Sequence, residues 1–519
     1  MIIIIHENER VLKVEQRDND ALHTLRQYAQ SKMCDAFFDI ASLYPDEKLI
    51  WCHESIHESV DFLLIDSLVS SKMEMLSYHP SDLSQFHNVL HYANMTSVLV
   101  DNIPRDVRYQ TWLMSESIGI VHAELVNKFV LLRGKFSFQL TLNIMSRKGS
   151  AKGVLHFSEP RLCSKKSISV KQENFSETLK YIATVQKKRW LLYIALLYLF
   201  INPLKIFSIL ASVVTTKKID ININLEDLYA DVEPILLDEN DTIDVLIPTL
   251  GRKKFLKDVL DDLCEQTHLP TSVIIIEQHP DENVESELDY IHSQEWPFEI
   301  KHRFIHQLGA CNARNIGLDL IESKWTFLAD DDIRLNKNVI EDTIVLSKSL
   351  KISSVTIATY LPHQKEVESE KTPFLWDAFS TCTTVLESQY AKKVKFDMAY
   401  EFGYGEDTAY GIELRKLGCS TLYTPYNALL HLKAPIGGFR FEFPHPWLKD
   451  NIQPKPSPTM MYLFESYMSE EQFFAYKTSL LLQQLKQKKS LNLFKFVKDF
   501  KAQWERSKHW SNEYRKGVK

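Results

Sequence analysis

The sequence predicts an α/β protein: a doubly wound sheet, preceded by a second α/β domain and followed by a helical tail. Three observations carry this. From residue 242 onward, short apolar runs alternate with amphipathic stretches in β-α-β-α-β order. One of those runs, Val273-Ile-Ile-Ile276, is apolar at every position, as a strand covered on both faces of a parallel sheet must be. Acidic and glycine-containing motifs follow the predicted strands, where a doubly wound sheet opens its ligand crevice.

The N-terminal part reads as strands at 2–5 and 49–52, a helix over 20–43, a helical stretch over 60–75, and further strands at 97–100 and 118–121. Residues 1–180 form this first α/β domain, to which the pattern assigns no chemistry. Residues 181–240 read as a hydrophobic helical connector with an acidic linker. The apolar stretch 190–214 is broken by Asn202-Pro203 and Lys205 and flanked by Lys187-Lys-Arg189 and Lys217-Lys218. It has the length of a membrane span, but a proline and a lysine sit at its middle and both flanks are basic. An interfacial membrane segment, a buried connector and a span all remain open.

The doubly wound domain occupies 241–445. Strands are expected at 244–248, 273–276, 299–305 and 325–329, with an apolar helix stripe at Phe255, Leu256, Val259, Leu260 and Leu263 and a helix over 312–322. Residues 446–519 form a basic helical tail. It opens on an extended Pro-rich connector at 453–458 and continues in amphipathic stretches at 470–487 and 491–510. No internal repeat is legible.

Composition bounds the rest. The chain has 519 residues, 45% hydrophobic and 25% charged, which excludes disordered, collagen-like and disulfide-scaffold classes. Its net charge of −7 gives no reason to expect a nucleic-acid partner, although the last fifty residues carry 12 basic against 5 acidic side chains. Seven scattered cysteines without a Cys-x-x-Cys pair read as reduced thiols, and the short apolar start lacks a basic leader. Both point to a cytoplasmic protein.

The strongest chemical signal is Asp330-Asp331-Asp332 directly after the predicted strand 325–329. Adjacent carboxylates repel one another unless a cation or strong donors share the site. Alternation along an extended segment puts Asp330 and Asp332 on one side and Asp331 on the other, a spacing suited to two oxygen ligands of Mg²⁺ or Mn²⁺. A solvated acidic turn is the alternative.

Four further elements surround this motif in order, and with it they resemble the family-two inverting glycosyltransferases of the GT-A fold. Ile247-Pro248-Thr249-Leu-Gly-Arg252 resembles the strand and turn that grip the donor nucleotide, and Glu277 falls where the family carries an acidic contact to the base. Gly309-Ala-Cys-Asn-Ala-Arg314-Asn-Ile-Gly317 resembles the helix before the metal motif. Gly403-Tyr-Gly-Glu406-Asp407 resembles the acceptor motif at a helix start. The resemblance implies Asp407 as the base, Glu406 holding the acceptor, and Asp330, Asp332 and His431 as metal ligands. It further implies Pro248, Thr249, Arg252, Glu277, Arg314, Asp330 and Asp331 on the donor nucleotide, by default a uridine diphosphate. Glu277 followed by Gln278-His279 departs from the family's usual Asp and small-residue loop. Gly437-Gly438-Phe-Arg440 is expected to close over the donor.

The implied reaction is a single inverting displacement from a nucleotide-sugar to a hydroxyl of a glycan or lipid-linked acceptor, in bacterial polysaccharide or glycoconjugate synthesis, with peripheral contact at the inner face of the membrane. A GT-A-fold scaffold that binds without turnover is the alternative class. A third reading comes from His53-Glu54-Ser-Ile-His57, which fits the helical zinc-protease signature although a strand is expected just before it. A polar cluster at that strand's end is the competing expectation.

Overall fold

The computed structural model describes the chain except residues 19–20, 81–88, 94–103, 165–174, 217–218, 220, 365–371, 435–442, 488–491 and 518–519. Two units fold separately: Met1–Val232 with Ser469–Ala475, and Glu233–Met468 with Tyr476–Lys519.

The first unit holds β1 (Ile2–Glu7), β2 (Arg10–Asp18), β3 (Ala21–Thr24), β4 (Lys48–His53), β5 (Glu74–Ser77), β6 (Tyr109–Gln110), β7 (Ile118–His122) and β8 (Leu155–Ser158). They form one sheet in the order β3-β2-β1-β4-β7-β5-β8-β6. The helix expected over 20–43 is shorter. Its first residues pair as β3 on β2, and the helix runs only over Met33–Leu43. Hairpin pairing overrides local helical pattern there. The stretch 60–75 likewise divides into a helix, Phe62–Leu68, and the start of β5. All four residues of β5 are buried, so no alternation could mark it. The strand expected at 97–100 lies outside the described residues.

The apolar stretch 190–214 forms two helices, Arg189–Ile201 and Ile206–Thr215. They part at Asn202, which adopts an extended ψ of 88° before Pro203, as the residue preceding a proline must. No helix among the described residues is long and apolar enough to cross a membrane.

The second unit holds β9 (Ile243–Leu250), β10 (Ser272–Gln278), β11 (Glu299–Ile305), β12 (Trp325–Ala329), β13 (Ile333–Arg334), β14 (Ser354–Tyr360), β15 (Phe374–Trp376), β16 (Thr383–Glu387) and β17 (Thr421–His431). The sheet runs β11-β10-β9-β12-β16-β14-β17-β13, with β15 also on β17. The first four of these strands are parallel. Side chains alternate across β9: Val245 and Ile247 join the core beneath the helix Lys253–Cys264, while Leu246 joins the core of the opposite face. Both faces are therefore covered, as the apolar runs predicted. The helix expected over 312–322 spans Ala310–Leu318, opened by Gly309 at φ +135°. In the tail, Glu470–Gln487 is helical as expected and the last helix spans Leu493–Gly517. The expected Pro-rich connector ends in a helix, Pro458–Tyr467, whose N-cap is Ser457 and whose first residue is proline, a position that tolerates the missing N–H.

The helix Ala310–Leu318 lies so close to β9 that a Cβ on Gly317 would stand 2.0 Å from Leu246 Cδ1. Overpacking of this kind costs about 1–3 kcal/mol. Gly317→Ala is expected to lower the urea midpoint accordingly, and an unchanged midpoint would show that the helix can lift without cost.

Candidate active site

The carboxyl ends of β9, β12 and β17, with the N-termini of the helices Ala310–Leu318 and Glu406–Lys416, surround a cleft of about 860 Å³. Pro248, Thr249, Arg252, Arg314, Asp330, Asp331, Asp332, Glu406, Asp407 and His431 all line it.

Asp332 is carried to His431 by sheet pairing. The two-residue strand β13 follows it at once and pairs antiparallel with the end of β17, setting Ile333 opposite His431. Leu432 N donates to the Asp332 carbonyl at 2.8 Å, and Ala434 N donates to Asp332 Oδ2 at 2.8 Å. The other carboxylate oxygen, Oδ1, is buried, has no hydrogen-bond partner, and lies 3.3 Å from His431 Nε2. Burial pushes the Asp332 carboxyl up, but His431 and the Ala434 amide hold it below its ordinary value; Asp332 in turn raises the imidazole. Asp330, Asp332 and His431 each offer a ligand atom within 4.8 Å of the others. A buried, unpartnered carboxylate oxygen facing an imidazole nitrogen fits a divalent cation, and the mixed oxygen and nitrogen set favours Mn²⁺ over Mg²⁺.

Asp331 and Asp332 lie in a turn after β12 rather than in an extended segment, and Asp331 takes its own partners. Thr249 Oγ1 donates to it at 2.6 Å and Arg252 Nη1 at 2.5 Å, so it ties the end of β9 to the end of β12. Burial pushes its pKa up to about 6 against the pull of Arg252.

Arg314 is buried, with Nη2 3.3 Å from Asp330 Oδ1. Burial opposes its charge, yet Asp330 and Asp407 hold it firmly protonated. Asp407 accepts from Thr381 Oγ1 at 2.6 Å; burial raises its pKa and Arg314 opposes the rise. Its neighbour Glu406 is pushed up to about 7, by burial first and by Asp407 second. Both stand in the first turn of their helix, after Gly405 at φ +110°, a conformation that favours glycine.

Glu277 is not brought together with the others. It ends β10 outside the residues that line the cleft, and its carboxylate accepts from Ser286 Oγ at 2.5 Å and lies 2.9 Å from His302 Nε2. The next residue, Gln278, lines the cleft instead and accepts from Gly309 N at 2.6 Å. The glycine-rich stretch 437–440 lies outside the described residues.

Sequence reasoning missed Glu401, whose carboxylate accepts from Cys311 N and Asn312 N at 3.1 and 2.8 Å and so caps the helix Ala310–Leu318. A Cβ on Gly309 would stand 2.2 Å from that carboxyl group, which explains the glycine. The motif at 403–407 flagged this loop, but nothing local marked a partner ninety residues away. Also missed was an aromatic wall. Phe402, held at φ +60°, stacks on Phe443 at 4.1 Å, and His445 stacks on Trp447 at 4.0 Å. Beside them Tyr404 lines the cleft while 56% exposed.

The protease reading fails on geometry. His53 ends β4, and residues 54–59 form a 3₁₀ helix rather than an α-helix, so positions four apart do not share a face. His53 Nδ1 is taken by Ser55, and His57 packs against Phe62.

Residues 244–387 match the family model of Glycosyl transferase family 2. No curated protein matches the sequence. Among solved structures, S. aureus TarS is 15% identical over 37% of each chain with a TM-score of 0.32. S. aureus TarS 1-349 in complex with UDP is 16% identical over 37% of this chain and 61% of that one, at 0.32. GalNAc-T7 with UDP, GalNAc and Mn²⁺ is 15% identical over 51% of this chain and 55% of that one, at 0.37. The chain thus spans less than two thirds of each of these proteins.

The Glu406 shift makes a sign prediction. A carboxyl raised in the folded state binds a proton that the unfolded chain has released, so stability falls as pH rises from about 4.5 to about 7. Glu406→Gln is expected to remove that loss and to be more stable than the native chain at pH 8 by on the order of 2–3 kcal/mol. Parallel melting curves for the two proteins across that window would refute it.

Proposed function

We propose, for a chain that carries a family-two glycosyltransferase domain of the GT-A fold, that it is an inverting, metal-dependent transferase moving a sugar from a nucleoside-diphosphate donor to a glycan hydroxyl. The observation that carries this reading is the shared cleft: Asp330, Asp332 and His431 on one side, Asp407 on the other, and Arg314 between Asp330 and Asp407. A uridine diphosphate sugar is the proposed donor, on the family resemblance.

In this reading Pro248, Thr249 and Arg252 hold the nucleotide end, with Asp331 fixing Thr249 and Arg252 in place. Asp330, Asp332 and His431 would hold Mn²⁺ or Mg²⁺, which would supply positive charge to offset that of the leaving diphosphate. Asp407 takes the proton of the acceptor hydroxyl. The acceptor oxygen bonds to the anomeric carbon while the bond from that carbon to the phosphate oxygen breaks, and its electron pair departs with the diphosphate. One displacement inverts the centre. Burial raises the pKa of the Asp407 carboxylate and so makes it a stronger base than an exposed one, while Arg314 opposes the rise. Glu406, half-protonated near pH 7, can hydrogen-bond the acceptor as donor or acceptor.

The acceptor class follows from the walls beyond Asp407. Phe402, Tyr404, His445 and Trp447 offer aromatic faces that suit the C–H faces of a sugar ring, and Glu401, Glu406 and Asp407 disfavour an anionic acceptor. Asp407→Asn is expected to lower kcat by about 10²–10⁴-fold. Donor affinity, measured by calorimetry, is expected to stay within about twofold, and turnover near the native rate would sink the assignment.

Peripheral contact at the inner face of the membrane belongs to the same proposal. Phe200, Leu204, Phe207 and Val214 in the helical pair 189–215 are 79–85% exposed, with Leu192, Leu199 and Leu210 beside them. Lys205 is the only charged residue between Trp190 and Thr216, and Lys187, Lys188 and Arg189 stand at the start of the pair. Apolar faces with cationic flanks suit the surface of an anionic bilayer. The native chain is expected to float with phosphatidylglycerol vesicles at low salt, and Phe200→Ser/Leu204→Ser/Phe207→Ser to remain in the soluble fraction. Equal flotation of both would reject membrane contact through these residues.

A further inference from the structure

The two units repeat one sheet plan. In the first, β1 pairs parallel with β4, β4 antiparallel with β7, β7 antiparallel with β5, β5 parallel with β8, and β8 antiparallel with β6. In the second, the same relations hold in turn for β9, β12, β16, β14, β17 and β15. Corresponding strands also follow one another in the same chain order.

The connections agree as well. Directly after β7 and directly after β16 a short helix begins, Ala123–Asn127 or Ser388–Ala391. A 3₁₀ turn follows, Val130–Leu132 or Met398–Tyr400, and then a longer helix, Phe138–Ser150 or Glu406–Lys416, leads into β8 or β17. One helix precedes each middle strand: Met33–Leu43 before β4 and Ala310–Leu318 before β12.

We infer that the N-terminal unit is a second copy of the transferase sheet that has lost its donor half, so that the chain holds a single nucleotide site. The register makes the comparison residue by residue. His122 and Glu387 each close their strand just before the short helix, and they face Lys48 and Trp325. Counting along β4 and β12 from those pairs, His53, Glu54 and Ser55 stand where Asp330, Asp331 and Asp332 stand. Phe138 and Gln139 open their helix where Glu406 and Asp407 open theirs.

Among the described residues, the copy lacks the donor-side strands and the carboxylates at the helix head. The parallel strands β10 and β11 beside β9 are replaced beside β1 by the antiparallel hairpin β2–β3. Phe138, at the place of Glu406, is fully buried, its ring 5.2 Å from Phe37 and 5.6 Å from His6. Gln139, at the place of Asp407, is engaged internally: its Oε1 accepts from Glu116 N at 2.9 Å and its Nε2 donates to Met114 O. Glu9, in the β1–β2 turn at φ +63°, sets both carboxylate oxygens 3.0 Å from Phe138 N. The pocket of about 330 Å³ beside Glu9 is lined by none of His53, Glu54, Ser55, Phe138 and Gln139.

The test is a count of nucleotide sites on the full chain. UDP, GDP and ADP, each with Mn²⁺, are titrated by calorimetry into the native protein, into Asp330→Asn/Asp332→Asn and into His53→Ala/Glu54→Gln. The expected result is one site per chain in the native protein and in the His53/Glu54 variant. A second site in the native chain, or binding lost in the His53/Glu54 variant, would overturn the inference, and neither depends on how the aspartate variant folds. Binding that persists at full stoichiometry in a folded aspartate variant would place the site elsewhere and count against it too. No binding of any nucleotide to the native chain would overturn the proposed donor, while agreeing with an N-terminal unit that takes none.

Discussion

Six carboxylates, those of Asp330, Asp331, Asp332, Glu401, Glu406 and Asp407, share one cleft with two guanidinium groups, the half-buried Arg252 and the buried Arg314. Two positive charges cannot balance six negative ones in a partly dry crevice, so each acid is stabilised in its own way. Asp331 is held by Thr249 and Arg252, and Glu401 by two amides at a helix N-terminus. Asp407 leans on Thr381 and Arg314, while Glu406 takes up a proton near neutrality. Asp332 satisfies one oxygen on a backbone amide and leaves the other beside His431. The charge that a divalent ion would bring is the charge this arrangement lacks.

That balance explains the backbone around it. Glu401 can reach the helix Ala310–Leu318 only because residue 309 has no side chain, and the same helix positions Arg314 between Asp330 and Asp407. The helix sits at the right depth because Gly317 lets it settle on Leu246. Asp332 meets His431 only because β13, two residues long, pairs with the last residues of β17. The chemistry is thus set by a few close approaches between elements far apart in sequence, on a sheet whose two apolar cores resist displacement.

How much of this the sequence reveals depends on the range of each interaction. The strands 299–305 and 325–329 and the helix 470–487 were legible to the residue: burial on both faces marks 325–329, while 299–305, at the sheet's edge, and the long helix leave a pattern of local periodicity. The carboxylates at strand and helix ends were legible as motifs in the sequence. What stayed hidden depends on distant partners. Residues 21–24 look helical until β2 pairs with them. Glu277 is turned to His302 and Ser286 by contacts that no motif encodes. Glu401 and the stacked rings of Phe443, His445 and Trp447 acquire a role only once the loops close around the cleft.

The repeated sheet sharpens that distinction, because it separates what a fold needs from what a site needs. Both units keep the same five pairings among six strands and the same run of connecting helices, so apolar alternation and strand ends suffice for the architecture. No motif is shared along the two copies: where one has Asp330-Asp331-Asp332 the other has His53-Glu54-Ser55, and the repeat is invisible in sequence. The site makes narrower demands, namely two more parallel strands, charges at the strand ends, and an open place at the head of one helix. In the N-terminal unit Phe138 fills that place and packs on Phe37 and His6, which converts the position that Glu406 holds in the other unit into core. A buried aromatic there contributes burial energy where a carboxylate loses hydration, and once it is in place no acid can return without unpacking its neighbours. Stability and function therefore compete for one position, and the two units of this chain have resolved that competition in opposite ways.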